Sequence, residues 1–173
     1  MFKAIGSRVR FNDDNEVAIE FRTYISDLLE YDEVKKLTEF HQHCNTTRLQ
    51  HCYSVSYYSF LFAKLIGANP RSAARAGLLH DLFWYDWRKE KTPQLHAFYH
   101  PKAALINAEK MLGKLKPCER DAIVKHMWPL CMGIPKYRES IAVTMADKYC
   151  ASIEVVYQWG KVFIRKISVG FYH

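Results

Sequence analysis

One pattern constrains this chain more than any other. Apolar residues recur at helical spacing in segment after segment, proline or glycine punctuates the joins, and strand-type alternation is nearly absent. From Glu16 to Leu29 the positions Val17, Phe21, Tyr24, Ile25 and Leu28 share one helical face, and Glu33 to His41 continues as a second helix after a break at Tyr31-Asp32. Asn45-Thr46-Thr47 supplies N-cap oxygens to a long helix reaching about Ile66, with Val55, Tyr58, Phe62 and Leu65 as its inward stripe and His51 one turn before Val55. Gly67 ends that helix, and Asn69-Pro70 starts another, rich in small residues (Ala73, Ala74, Ala76, Gly77), which finishes in Leu78-Leu79-His80-Asp81. His100-Pro101 opens a helix to about Leu112, and Pro117 precedes one over Glu119 to Met127. Ser140 to Tyr157 forms a helix with Val143, Asp147, Cys150 and Glu154 on one face. Only Arg8 to Phe11 alternates, as a short strand or an arm, and the stretch after Gly160 reads equally as helix or extended chain. The expected fold is all-α, a single-domain helical bundle.

The 173 residues suffice for one core without disulfides. Residues 1–44 read as N-terminal helices packing on that core, 45–157 as the core itself, and 158–173 as a tail of the same domain. The five cysteines have no CxxC spacing, which excludes a zinc ribbon and fits a reducing compartment. With neither a leader-like apolar segment nor a run long enough for a membrane span, the expected location is the cytoplasm. Net charge is +7, but the basic residues are interleaved with acidic ones, as in Arg88-Lys89-Glu90-Lys91. That pattern makes nucleic acid an unlikely partner and leaves some positive charge for an anionic substrate pocket.

Eight histidines and eight aspartates in this length give roughly 0.4 His-Asp pairs by chance, so His80-Asp81 alone means little. Its setting adds weight. His51 and Asp147 fall on inward faces of other helices, where a buried carboxylate demands a cation or hydrogen bonds. Imidazole nitrogens with carboxylate oxygens suit divalent Mn, Fe, Co, Ni or Zn. The irregular stretch from Phe83 to Tyr99, with Trp84, Trp87, Asp86 and His96, is the kind of connection that carries function. Among the remaining histidines, His41, His43 and His173 read as surface residues, with His43 the one of the three expected to line the site if any does.

The segments RLQHCYSVSYYS, AGLLHDLFWYDW and VTMADKYCA carry His51, then His80-Asp81, then Asp147 in order and in helical context. This order resembles the signature of the HD-domain metal-dependent phosphohydrolase superfamily over roughly residues 45–154. The resemblance implies a helical bundle in which His51, His80, Asp81 and Asp147 hold a metal, with His80 and Asp81 at the catalytic centre. In two-metal members extra histidines fall between the His-Asp pair and the last aspartate; His100 and His126 match that interval and would bind a second ion, with Asp81 bridging. Without a second ion, His100 reads as a helix cap and His126 as a C-terminal dipole residue. Arg48 and Lys148 are the expected substrate contacts. The implied function is hydrolysis of a nucleotide or other small phosphate ester or anhydride by a metal-bound hydroxide, with one or two divalent ions as cofactor. The cyclic-dinucleotide branch has a Gly-Tyr-Pro signature that is missing from this sequence. A non-catalytic nucleotide- or RNA-binding module and an iron-dependent oxygenase remain as alternatives.

Overall fold

A computed structural model describes residues 3–42, 46–130 and 133–170, with side chains through Val156. The described residues form seven α-helices: α1 (Glu16–Leu29), α2 (Asp32–Lys35), α3 (Arg48–Leu65), α4 (Pro70–Leu79), α5 (His96–Leu112), α6 (Pro117–Lys125) and α7 (Arg138–Gly170). A 3-10 turn, Lys36–Glu39, follows α2, so the second expected helix is short and tightens at its end. The only β-type pairing among the described residues is two isolated bridges, Lys3 with Arg10 and His41 with Thr47.

Three helix starts follow from their caps. Asn15, Thr47 and Asn69 each accept an amide N–H from the third residue on, at 2.8, 3.2 and 2.9 Å, satisfying one donor of an open helix end. Asn45 and His43 lie outside the described residues. At α6 the Glu119 carboxylate accepts the Lys116 N–H.

The main departure from the sequence reading is α3. Every residue from Leu49 to Phe60 except Gln50 is buried, whereas Leu65, expected on the inward stripe, is 82% exposed. α4 and α7 flank α3 and α1 packs on α4, so neighbours surround α3 where a single stripe would have served a surface helix. Around it Phe21, Tyr53, Tyr57 and Phe60 pack with ring centroids 5.3 to 6.5 Å apart, two of these contacts edge-on. The N-terminal arm is pinned to α3 where the Ile5 amide donates to Ser54 Oγ and Tyr58 Oη donates to the Ile5 carbonyl.

α3 and α4 meet closely at Gly77. A Cβ there would stand 2.8 Å from Ser59 Oγ and 2.9 Å from Ser56 Cα. This contact sets the depth to which α4 carries its C-terminal end, where His80 is the cap residue.

α5 begins a full turn before the expected His100-Pro101 start, which places Pro101 inside the helix. His100 is therefore an interior helix residue and not a cap. Its Nδ1 lies 2.7 Å from the His96 carbonyl, so the side chain satisfies an oxygen on the same helix. α7 continues as helix to Gly170, past the expected end at Tyr157. No helix among the described residues is long and apolar enough to cross a membrane.

Candidate metal centre

Two of the site histidines are held by one local device. His80 caps α4 and its Nδ1 lies 2.8 Å from the Gly77 carbonyl; His126 caps α6 and its Nδ1 lies 2.8 Å from the Ile123 carbonyl. Each therefore donates Nδ1–H to the carbonyl three residues back, which leaves the lone pair on Nε2. The last carbonyls of a helix carry partial negative charge, so both caps favour a nearby cation. His100, through the His96 carbonyl, reaches the same tautomer from the middle of a helix.

The three Nε2 atoms converge on Asp81. His100 Nε2 lies 3.3 Å and His126 Nε2 3.7 Å from Asp81 Oδ1, while His80 Nε2 lies 3.6 Å from Oδ2. His100 and His126 Nε2 are only 2.9 Å apart. With both Nδ1 protons committed to carbonyls, this leaves two nitrogen lone pairs and a carboxylate oxygen facing one another, an arrangement that repels unless a cation lies among them. Asp81 Oδ1 and His80 Nε2 are buried without a hydrogen-bond partner.

The second half of the site lies on α3 and α7. His51 Nε2 is 3.2 Å from Asp147 Oδ1, which is also 3.6 Å from His80 Nε2. On its other side His51 Nδ1 meets Glu154 Oε1 at 2.9 Å. Two buried groups thus have metal-ligand spacing, His51 with His80 and Asp81, and Asp81 with His100 and His126. Asp81 belongs to both. The residues fit a divalent ion of the borderline class.

The electrostatics divide the site in the same way. Burial lowers the His51 pKa, but hydrogen bonds to Asp147 and Glu154 outweigh it and raise it to about 10. His80 is also raised, burial being overcome by Asp81 and Asp147. Burial alone would raise both aspartates, yet the surrounding histidines hold Asp81 and Asp147 far below the usual carboxylate range. By contrast burial, with the charges of His80 and His100, holds His126 down at about 3, and burial lowers His100. The shifts run in opposite directions across the site: the carboxylates favour the charged form of His51 and His80, whereas burial favours the neutral form of His100 and His126.

A pocket of about 230 Å³ opens onto this centre. Asp81, His100, His126 and Asp147 of the centre line it, together with Gln42, Trp87, His96, Met127, Leu130 and Ala151. Lys148 lines it and donates Nζ–H to the His126 carbonyl at 3.2 Å. It is the only lysine or arginine among the described lining residues, so most of the +7 charge lies elsewhere.

Arg48 is not at the pocket. It is fully buried, with its guanidinium on Gln42, the Phe83 carbonyl and the Tyr85 carbonyl, and its expected contact with substrate does not match this placement. A side chain in the first turn of a central helix faces inward, and sequence spacing alone does not reveal that. Asp86 is bonded within its own loop to Arg88 and Lys89, Trp84 to the Glu33 carbonyl, and Trp128 lines a separate apolar groove. Glu154 and Gln42 have site contacts to which the sequence reading gave no role. Glu154 had a signal, being a carboxylate two turns beyond Asp147 on the same face; Gln42 had none.

Comparison with protein-family models, with curated proteins and with solved structures returned no match.

Proposed function

We propose that this protein is a metal-dependent phosphohydrolase of the HD type, acting on a nucleotide or another small phosphate ester or anhydride. The observation that carries the reading is the convergence of His100 Nε2, His126 Nε2 and Asp81 Oδ1, three electron-rich buried atoms within 3.7 Å of one another. They adjoin a second donor group through the shared Asp81.

When bound, divalent ions at such a site supply positive charge and Lewis acidity toward a phosphoryl group. The chain's own residues do the rest. His51, His80, Asp81 and Asp147 would hold one ion, and His100 and His126 with Asp81 a second. In this reading the attacking group is drawn from solvent. The Lys148 ammonium, which lines the pocket and donates to the His126 carbonyl, would meet a phosphate oxygen. Trp87, Met127, Leu130 and Ala151 would offer apolar surface to the remainder of the substrate, and water displaced there would strengthen these charge interactions.

The test is elemental analysis of the purified protein, followed by phosphate-release assays on a nucleotide panel with Mn, Fe, Co, Ni and Zn in turn. Bound metal with turnover on at least one phosphate compound is the expected result. Metal without phosphate release on any member of the panel would replace this reading with a binding module or an iron-dependent oxygenase.

A further inference from the structure

Arg48 is one of the largest fully buried side chains in the protein, and each of its three nitrogens is engaged. Nη1 donates to the Phe83 carbonyl at 2.6 Å and Nη2 to the Tyr85 carbonyl at 3.2 Å, while the Phe83 ring lies 3.7 Å from the guanidinium carbon. Nε donates to Gln42 Oε1 at 2.9 Å. That bond decides which way the Gln42 amide faces, because the other end must then be the NH2 group. It donates from Nε2 to Asp81 Oδ2. The backbone of Gln42 is held as well, its carbonyl accepting Arg88 Nη2 at 2.7 Å.

The two oxygens of Asp81 therefore differ. Oδ2 faces Gln42 and His80, whereas Oδ1 faces His100 and His126 and has no hydrogen-bond partner. A carboxylate free to rotate could follow a single ion with either oxygen. Serving two ions at once requires both oxygens at fixed positions, one toward each histidine group. The donor on Oδ2 alone supplies that constraint, since rotating the carboxylate breaks the bond.

We infer that Gln42, oriented by Arg48, is a positioning residue that locks the Asp81 carboxylate so that its two oxygens serve two metal positions, and that it thereby sets binding of the second ion. The inference rests on the metal-centre reading above. Arg48 lies behind the site and Gln42 lines the pocket beside Asp81, and in this assignment both act on the metal positions through Asp81.

The test is stepwise Co(II) titration of the wild type and of Gln42→Leu, followed by electronic absorption and chelator competition, with folding checked by circular dichroism. Leu keeps the volume near that of Gln and removes both hydrogen bonds. The first Co(II) should bind within a few-fold of wild type, and the second about 10- to 100-fold more weakly, with an altered visible spectrum. Gln42→Glu provides a second route if the leucine variant folds poorly. It keeps an oxygen for Arg48 but turns the other toward Asp81, and should weaken the second ion although the Arg48 contact survives. Two equivalents bound by both variants with wild-type affinity and spectrum would overturn the inference. So would a wild type that takes up only one equivalent. A wild type that takes up none removes the metal centre itself, which separates the two failures.

Discussion

Glu154 Oε1 lies 2.9 Å from His51 Nδ1, and both side chains are fully buried, so a carboxylate on α7 fixes the ring of a histidine on α3 whose other nitrogen faces Asp147. A carboxylate behind a ligand histidine sets its tautomer and raises its basicity toward a metal. Glu154→Gln keeps the shape and a hydrogen-bond acceptor while removing the charge. Metal affinity is expected to fall about 10-fold or more, measured by chelator competition, with the helical signal retained. Unchanged affinity would reduce Glu154 to a packing role.

Asp147→Asn tests the first metal position. The substitution conserves volume and removes an anion that His51 and His80 share. Metal retention and phosphate release should drop together while circular dichroism stays that of the wild type. His80→Ala and Asp81→Ala should abolish both, because each deletes a donor atom of the centre. Full metal content with full turnover in any of these variants would be incompatible with the site described above.

His100 and His126 test the second position. Replacing both with Ala removes the two nitrogens that face each other across 2.9 Å but leaves His51, His80, Asp81 and Asp147 in place. Bound metal should fall from two equivalents to one by elemental analysis, and turnover should fall steeply with it. Normal turnover in the double variant would show a mononuclear centre.

The metal-free protein should have a pH optimum of stability set by two histidines with opposite shifts. Hydrogen bonds to Asp147 and Glu154, acting against burial, raise His51 to about 10, above the roughly 6.5 of an unfolded histidine. Its contribution is complete below about pH 6.5 and is lost as pH rises toward 10. His126 is held at about 3 by burial and by His80 and His100, so its contribution is present above about 6.5 and lost as pH falls toward 3. Melting temperature without metal should therefore peak near neutrality and fall on both sides. Metal competes with the proton on His51, so the stabilisation by added metal should be larger at pH 9 than at pH 7. A metal-free melting temperature that stays flat from pH 7 to 10 would contradict the His51 arrangement.

What the sequence made legible was what local periodicity can carry. The starts of α3 and α4 follow from Thr47 and Asn69 beside apolar periods, α1 follows from its apolar period alone, and an all-helical bundle follows from the sum of such segments. His80 at the end of a small-residue helix was likewise visible. What stayed hidden depends on groups far apart in the chain: Gln42 meets Asp81 across 39 positions and His51 meets Glu154 across 103. Arg48 reads as a phosphate contact because it lies almost one turn before His51 and a guanidinium suits bidentate contact, yet the carbonyls of Phe83 and Tyr85 that draw it inward come from a loop with no period of its own. The start of α5 was misplaced because proline commonly opens helices, whereas Pro101 here follows a full turn whose His96 carbonyl is taken by His100.

Gly77 links the packing of the bundle to the metal centre. Its missing side chain lets α4 approach α3 at Ser56 and Ser59, and its carbonyl accepts the Nδ1 proton of His80. In Gly77→Ala the new Cβ would stand 2.8 Å from Ser59 Oγ, which can rotate, but also 2.9 Å from Ser56 Cα and 3.1 Å from Ser56 N, which cannot. The backbones must separate, against the better helix propensity of alanine, and over-packing of this kind costs about 1 to 3 kcal/mol. The displacement carries the Gly77 carbonyl with it and turns the His80 ring away from Asp81 and Asp147. Chemical denaturation should therefore register a loss of stability, and Co(II) titration a weaker first equivalent in the protein that remains folded. A double variant, Gly77→Ala with Ser59→Gly, relieves only the Oγ contact and should recover little of either loss. Full recovery would show that the serine hydroxyl, and not the helix backbone, sets the spacing.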